Sequence, residues 1–236
     1  MICQRHGAFL TGLLNDLSWL LGGGPMTVAI IDYGSGNLRS AAKAFERVAA
    51  EKTMRTRVVV TAEADEIARA ERIVLPGVGA FADCLAGLDS LPGVRAALEE
   101  VVINAGRPFL GICVGMQLMA RSGHENGIHR GLGWVEGEVI ALPKGTLKVP
   151  HMGWNELVIR QRHPILKGIK NGKDFYFVHS YHLQCEDERE ILASTEYGGS
   201  ICAVVGRENM IGTQFHPENS QVTGLKFISN FLSWRP

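Results

Sequence analysis

The sequence has few cysteines, no excess of charge of either sign and no long apolar run. Its five cysteines are spread irregularly over 236 residues, without a CxxC pair or a zinc-ligand spacing. We therefore expect a reduced, cytoplasmic protein, and nothing in the pattern calls for a metal or a cofactor. Lys+Arg and Asp+Glu both total 24, which gives no electrostatic basis for binding nucleic acid or an anionic membrane surface. No stretch reaches the ~18–20 apolar residues that span a bilayer.

Residues 1–25 differ in pattern from the rest of the chain. Their apolar part, 8–21, is interrupted by polar residues and ends in Gly-Gly-Gly-Pro, unlike the continuous core and small-residue cleavage site of a secretory signal. We expect a disordered or loosely helical N-terminal extension here, with a targeting segment as the alternative. Met26, which opens a clean strand pattern, is then the natural start, and residues 26–236 form one domain.

Short apolar runs alternate with helical patterns up to about residue 130. Alternation of this kind predicts a doubly wound, mostly parallel α/β sheet. The predicted strands are 27–32, 58–60, 72–75 and 109–112, and the predicted helices are 38–48, 64–70, 94–105 and 116–121.

After residue 130 the pattern changes to strands joined by short turns, which predicts an antiparallel extension of the sheet. These strands are 134–140, 148–152, 157–159, 175–182, 191–196, 202–205 and 211–215. Ser220 is predicted to be the N-cap of a final amphipathic helix that runs to about Trp234.

Cys113 lies in the segment Gly-Ile-Cys-Val-Gly, directly after a predicted strand. A nucleophile on a tight strand-to-helix turn adopts strained backbone angles and needs small neighbours, which the two glycines provide. A helix that follows would direct its N-terminus at the sulfur and favour the thiolate. The pattern indicates a nucleophilic cysteine rather than a buried core cysteine.

The segment His216-Pro-Glu218 follows a predicted strand about a hundred residues later. Side chains at positions i and i+2 of an extended segment project to the same side. Glu218 is therefore expected to orient His216, as the acid of a nucleophile–base–acid triad does. The glycine-rich segment Pro76-Gly-Val-Gly79 ends another strand, where its backbone N–H groups suit an oxyanion hole.

These three motifs resemble those of the class I, triad-type glutamine amidotransferases. Three more segments are similar to the glutaminase subunits of imidazole glycerol phosphate synthases, a group within that family. They are Ile31-Asp-Tyr-Gly-Ser-Gly-Asn-Leu38, Met152-Gly-Trp-Asn155 and Tyr176-Phe-Val-His-Ser-Tyr181. The resemblance runs from about residue 26 to the C-terminus and implies a flavodoxin-like α/β fold without a cofactor.

The resemblance implies that Cys113 attacks the side-chain amide of L-glutamine and forms a thioester. His216 then acts as acid and base, and Glu218 orients it. The backbone of Val78, Gly79 and Val114 would stabilise the oxyanion, either directly or after a peptide in the loop has rearranged. The residues that would hold the glutamine are Gly79, Gln117, Ser180 and Tyr181.

The resemblance also implies a heterodimer with a separate (β/α)8-barrel cyclase subunit, which receives the ammonia for histidine biosynthesis. Glutaminase activity would stay weak until that partner and its ligand bind. One position departs from the family, because Asn219 stands where a lysine usually follows His-Pro-Glu. That lysine is expected near the cyclase interface, so a salt bridge there is in doubt. Trp154 either anchors the partner or packs within a hairpin.

Three other functions stay open on the sequence alone. The chain could serve a related amidotransferase of pyridoxal phosphate, anthranilate or GMP synthesis. It could be a non-catalytic module that keeps the fold, although such proteins would be expected to have lost a triad residue. It could also be a redox sensor, although no second cysteine lies close to Cys113 in the sequence.

Overall fold

The computed structural model describes residues 24–236, except for 144 and 146. Of the predicted extension 1–25, residues 1–23 lie outside the described part. The strands are β1 (Met26–Ile31), β2 (Thr56–Thr61), β3 (Arg72–Gly77), β4 (Phe109–Cys113), β5 (Ala120–Gly123), β6 (His129–Arg130), β7 (Val135–Ala141), β8 (His151–Ile159), β9 (Lys173–His179), β10 (Tyr181–Cys185), β11 (Ile191–Glu196), β12 (Ser200–Arg207) and β13 (Met210–Thr213).

Helices connect the strands of the N-terminal half and close the chain. They are α1 (Leu38–Glu51), α2 (Ala64–Arg69), α3 (Phe81–Ser90), α4 (Val94–Leu98), α5 (Val114–Gln117) and α6 (Gln221–Ser233). A π-helical segment, Glu99–Asn104, continues α4. In the part of the chain with assigned structure, no helix is both long enough and apolar enough to cross a membrane.

One large sheet carries the fold, with nine strands in the order β2-β1-β3-β4-β13-β12-β11-β8-β9. The strands from β2 to β13 in this order pair in parallel, and those from β13 to β9 pair antiparallel. Strands β3 and β4 are buried along their whole length, as expected for central parallel strands covered on both faces. The predicted mostly parallel sheet with an antiparallel extension is confirmed.

The helical layers follow from the apolar stripes of the helices. In α1 the buried residues recur at helical spacing, and Phe45 packs edge-to-face on Phe231 of α6 with ring centroids 6.2 Å apart. Helix α2 packs on α4 in the same half of the molecule. Both contacts bury the apolar side of an amphipathic helix, which is what stabilises helices of this length.

Several predicted boundaries are wrong, and tertiary pairing explains most of them. The helix predicted for 116–121 ends at Gln117, and 120–123 forms β5 because it pairs with β7. This pairing belongs to a second sheet, β10-β7-β5-β6, which the sequence did not indicate. The two strands predicted at 148–152 and 157–159 are the single strand β8. The predicted strand 175–182 divides at Ser180, because β9 and β10 belong to different sheets.

The order of the central strands brings the three chemical motifs together. Gly77 at the end of β3 pairs with Cys113 at the end of β4. On the other side of β4, Ile112 pairs with Thr213 of β13, just before His216. The carboxyl ends of neighbouring parallel strands share one edge of the sheet, where α/β folds place their sites.

Candidate active site

Cys113 occupies a strained turn between β4 and α5. Its φ of 54° and ψ of −110° lie in a region that residues with a Cβ rarely adopt. The residue is 3% exposed. The predicted strained strand-to-helix turn is confirmed, although the helix that follows is only one turn long. That Cys113 is the nucleophile stays a prediction.

The flanking glycines are needed for close packing of this turn. A Cβ on Gly111 would lie 2.6 Å from the carbonyl oxygen of Gly115. A Cβ on Gly115 would lie 1.8 Å from the carbonyl oxygen of Leu75 in β3. Neither contact can be relieved by a side-chain movement, because both acceptors are backbone atoms. The two glycines therefore let α5 start directly against the neighbouring strand.

His216 and Glu218 form a buried pair. Nδ1 of His216 lies 2.9 Å from Oε1 of Glu218, and their side chains are 4% and 2% exposed. The predicted contact is present, but the extended geometry predicted for it is wrong, since Pro217–Asn219 is a 3₁₀ turn. Such a turn folds Glu218 back beneath the imidazole and leaves Nε2 as the ring atom available to the cavity.

Ser220 has a different role from the predicted one. It precedes α6, as predicted for an N-cap, but its side chain makes no capping hydrogen bond. Its Oγ donates to the carbonyl oxygen of His216 at 2.6 Å and accepts from the backbone N–H of Tyr176 at 3.0 Å. Ser220 therefore ties the His216 segment to β9.

The electrostatics of the pair favour a charged imidazole. Burial lowers the pKa of His216, but the Cys113 sulfur and the Glu218 carboxylate outweigh burial and raise the pKa to about 10. The Cys113 sulfur raises the pKa of His216 both through its charge and through a hydrogen bond to the ring, although Nε2 has no hydrogen bond of regular geometry within the described residues. The arrangement places a thiol beside an imidazole that favours its charged form, as in Cys–His pairs in which the histidine activates the cysteine.

Most of the predicted site residues line one cavity of about 270 Å³. Glu218 lies outside its wall, behind His216. The predicted residues on the wall are Val78, Gly79, Cys113, Val114, Gln117, Ser180, Tyr181 and His216. Residues from β3, β4, β9, β10 and β13 and the loops after them thus converge on the sulfur.

The predicted oxyanion donors are not all free in this conformation. The backbone N–H of Val78 donates to Oγ of Ser35 at 3.1 Å, and Oγ of Ser35 also donates to the carbonyl oxygen of Val78. Gly79 follows with a φ of 96°, which favours glycine. The Tyr-Gly-Ser-Gly-Asn turn therefore holds the Pro-Gly-Val-Gly loop through Ser35.

Two glutamines extend from the pocket wall to Cys113. Nε2 of Gln117 donates to the carbonyl oxygen of Tyr181 at 2.9 Å and to Oε1 of Gln214 at 3.1 Å. Nε2 of Gln214 lies 3.7 Å from Sγ of Cys113. Gln214 is fully buried, and the sequence reading missed it. Its place two residues before His216 was the only available signal.

Four further wall residues were also missed, namely Glu125, Pro150, Val178 and His179. Glu125 places a carboxylate in the cavity, and its Oε2 accepts from the backbone N–H of Phe81 at 2.8 Å. His179 and Val178 line the wall beside the sulfur, with the carbonyl oxygen of Val178 3.8 Å from Sγ of Cys113. Within the described ranges, no group of three or more His, Cys, Asp or Glu residues is arranged to hold a metal ion.

Comparison with known proteins gives consistent matches. The family profile described as "Glutamine amidotransferase class-I" matches residues 29–233. The Imidazole glycerol phosphate synthase subunit HisH of Agrobacterium fabrum is 56% identical over 216 residues, covering 89% of this chain and 100% of that protein. The subunit of the same name from Ruegeria pomeroyi is 57% identical over 213 residues, with the same coverage.

A structural likeness extends to more distant proteins. The crystal structure of a glutamine amidotransferase from Thermotoga maritima matches with a TM-score of 0.59 at 16% sequence identity. The match covers 89% of this chain and 84% of that one. At this identity the likeness shows a common fold.

Proposed function

Because the chain belongs to the class I glutamine amidotransferases and, within them, to the HisH family of imidazole glycerol phosphate synthase subunits, we propose that Cys113, His216 and Glu218 are its catalytic triad. The protein is a glutaminase subunit of histidine biosynthesis. The observation that carries the triad is the placement of a strained, glycine-flanked thiol and a carboxylate-bound imidazole on one cavity.

The reaction proceeds in two halves. The Cys113 thiolate attacks the side-chain amide carbon of glutamine, and the C–N bond breaks as His216 gives its proton to the departing ammonia. Water then attacks the thioester, His216 takes a proton from it, and the C–S bond breaks to release glutamate and the thiolate. Glu218 holds Nδ1 of the ring throughout, which keeps Nε2 directed at the reacting atoms.

The oxyanion is stabilised by backbone N–H groups of the Val78–Gly79 loop and of Val114. Since Ser35 holds the Val78 peptide in place, that peptide has to rearrange before its N–H can face the substrate. This requirement fits a glutaminase that is slow on its own and faster once its partner and the partner's ligand are bound. Loop movement commonly completes a catalytic site after the substrate has bound, so that the oxyanion hole forms only in the substrate complex.

Glutamine is held by Gly79, Gln117, Ser180 and Tyr181, around the cavity mouth. Its α-ammonium needs a carboxylate, and Glu125 is the acidic side chain on the cavity wall. One oxygen of Glu125 is fixed by the Phe81 N–H, which orients the carboxylate for a charge-assisted hydrogen bond.

The partner is the cyclase subunit, a (β/α)8 barrel that forms a heterodimer with this chain in the cytoplasm and receives the ammonia through a channel for its lyase reaction. Support comes from β8, whose Met152 and Trp154 are 63% and 47% exposed on the same face. Trp154 also packs edge-to-face on Tyr176, so it is both packed and available to a partner. Replacing the exposed Asn219 by Lys should leave basal hydrolysis unchanged and alter cyclase affinity.

Glutamate release from glutamine tests the proposal. The purified chain would be assayed alone, with the cyclase subunit and its phosphoribulosyl-formimino carboxamide ribotide ligand, and as the Cys113→Ala variant. We expect strong stimulation by the cyclase and its loss in the variant. Activity indifferent to that cyclase would point to another amidotransferase pathway, and an inactive wild type would favour a non-catalytic module.

A further inference from the structure

Two buried histidines outside the triad form a hydrogen-bond chain that ends at the pocket wall. His151 of β8 and His179 of β9 face each other across the strand pair and are 3% and 6% exposed. Nδ1 of His151 lies 3.0 Å from Nε2 of His179, whose Nδ1 lies 2.8 Å from the carbonyl oxygen of Tyr181. At the other end, Nε2 of His151 lies 3.2 Å from Nδ2 of Asn155.

Both ends of this chain fix the direction of donation. A carbonyl oxygen only accepts, so Nδ1 of His179 carries a proton. The amide of Asn155 is oriented by two backbone groups, since its Oδ1 accepts from the N–H of Glu156 at 2.8 Å and its Nδ2 donates to the carbonyl oxygen of Glu196 at 3.0 Å. Nδ2 is therefore also the atom that faces Nε2 of His151, which must accept. The proton of His151 is then on Nδ1, and it is donated to His179.

The same geometry requires both rings to be uncharged. A positive charge on either histidine would set two N–H groups against each other, between the rings or at Asn155. Burial acts in the same direction, because it lowers the pKa of His151 to about 4 and that of His179 to about 3. The His151 ring is also stacked between Phe177 and Tyr197, with centroid distances of 4.8 and 3.9 Å, which fixes its plane.

We propose that His151 and His179 are positioning residues that hold the Tyr181 carbonyl and with it the wall of the glutamine pocket. They act as an uncharged hydrogen-bond relay in which every donation runs in one direction, from Asn155 towards Tyr181. The inference rests on the proposed function only in so far as the cavity is the glutamine site. Neither ring needs to exchange a proton during the reaction.

The Tyr181 carbonyl joins the relay to the nucleophile. It accepts from His179 and also from Nε2 of Gln117, which reaches Gln214 and, through it, the sulfur of Cys113. A displaced Tyr181 carbonyl would therefore shift a substrate contact directly and the sulfur only through two further side chains. The relay should consequently affect the KM for glutamine more than kcat.

Asn155→Asp replaces the donor at the start of the relay by an acceptor with almost no change in shape. It also removes the hydrogen bond to the Glu196 carbonyl oxygen, a loss that His151→Phe does not share. The carboxylate accepts, so Nε2 of His151 has to become protonated, and the pairing with His179 is lost or inverted. Asn171→Asp is the matched control, because Oδ1 of Asn171 only accepts, from the N–H of Ile159 at 2.7 Å. His151→Phe keeps an aromatic ring in the stack and removes both ring nitrogens.

Steady-state kinetics of glutamine hydrolysis, with the cyclase subunit and its ligand present, give the first readout. For Asn155→Asp and His151→Phe we expect kcat/KM to fall on the order of tenfold, carried mainly by KM, as for one unsatisfied buried polar group. Asn171→Asp should match the wild type.

Nitrogen NMR of the full chain, labelled with ¹⁵N-histidine, gives a second readout that does not depend on activity. We expect both rings to be neutral and protonated on Nδ1 in the wild type, and His151 to be protonated on Nε2 in Asn155→Asp. A wild-type His179 protonated on Nε2 would overturn the relay, even if the variants failed to fold. If His151 were protonated on Nε2 in Asn155→Asp but the KM of this variant equalled that of Asn171→Asp, the positioning role would be overturned. An inactive wild type would contradict the proposed function and leave the ring protonation to decide the relay.

Discussion

Replacement of Ser220 by alanine should both destabilise the protein and slow glutamine hydrolysis. The side chain is almost fully buried and bridges the carbonyl oxygen of His216, at 2.6 Å, and the backbone N–H of Tyr176, at 3.0 Å. Alanine leaves the Tyr176 N–H without its partner, whereas the His216 carbonyl oxygen loses one hydrogen bond and keeps another, from the N–H of Asn219 at 3.1 Å. One buried group left unsatisfied costs about 1–3 kcal/mol and one lost hydrogen bond about 1 kcal/mol, so we expect a loss of about 2–4 kcal/mol in the free energy of unfolding.

The expected loss separates two roles of Ser220. A simple helix N-cap would cost about 1 kcal/mol and leave the chemistry untouched. A residue that anchors the His216 backbone should also lower kcat, by about tenfold if the imidazole shifts by a fraction of an ångström.

Urea unfolding followed by tryptophan fluorescence would give the stability, and glutamate release with the cyclase subunit would give kcat. Ser233→Ala is the matched control, because Ser233 lies at the other end of α6, is exposed and bonds only the carbonyl oxygen of Ser229. That control should change stability by less than about 0.5 kcal/mol. A Ser220→Ala protein that loses about 1 kcal/mol and keeps its kcat would refute the anchoring role.

Three further predictions concern the triad, the turn and the pocket. Because the pKa of His216 is raised to about 10, its charge stabilises the fold fully below about pH 6.5, and this effect is lost as the pH rises towards 10. The loss of Tm in Glu218→Gln, relative to the wild type, should therefore be largest near pH 6 and shrink towards pH 10. A loss of Tm that does not change with pH would contradict the charge pair. Gly115→Ala should lower the free energy of unfolding in urea by about 3 kcal/mol, because its Cβ would lie 1.8 Å from a carbonyl oxygen of β3. Gly145→Ala should change it little, because the space around its Cβ is open. Glu125→Gln should raise the KM for glutamine by about tenfold at nearly constant kcat, since it removes one charge-assisted contact; an unchanged KM would exclude Glu125 from binding the ammonium group.

The parts of the site that could be predicted from the sequence are those in which chemistry constrains neighbouring residues. A nucleophile with positive φ needs glycines close to it, and Gly111 and Gly115 are visible as such in the sequence. The pairing of His216 with Glu218 is likewise local, although a 3₁₀ turn rather than an extended strand produces it. Even a wrong backbone prediction gave the right contact here, because two residues of separation allow either geometry.

The parts that could not be predicted depend on which strands become neighbours. The second sheet exists because residues 120–123 pair with β7, and the helical propensity of that segment gave no sign of it. The relay of His151 and His179 depends on the register of β8 and β9, which places the two rings opposite each other. Ser220 looked like a cap because its position was right, while its hydrogen bonds were decided by the carbonyl of His216 and the N–H of Tyr176.

The chemistry of the site indicates which strands lie next to β4, and the spacing of apolar residues does not. Parallel strand order is not written in the apolar pattern, since any buried strand can in principle neighbour any other. A thiol at the end of β4, however, can use an imidazole at the end of β13 only if the two strands lie close together, and it can use the Val78–Gly79 loop only if β3 is also near. With β3 and β13 placed on opposite sides of β4, both requirements are met at once. The proposed catalytic residues thus restrict the order of the strands at the centre of the sheet, where the hydrophobic pattern alone leaves that order open.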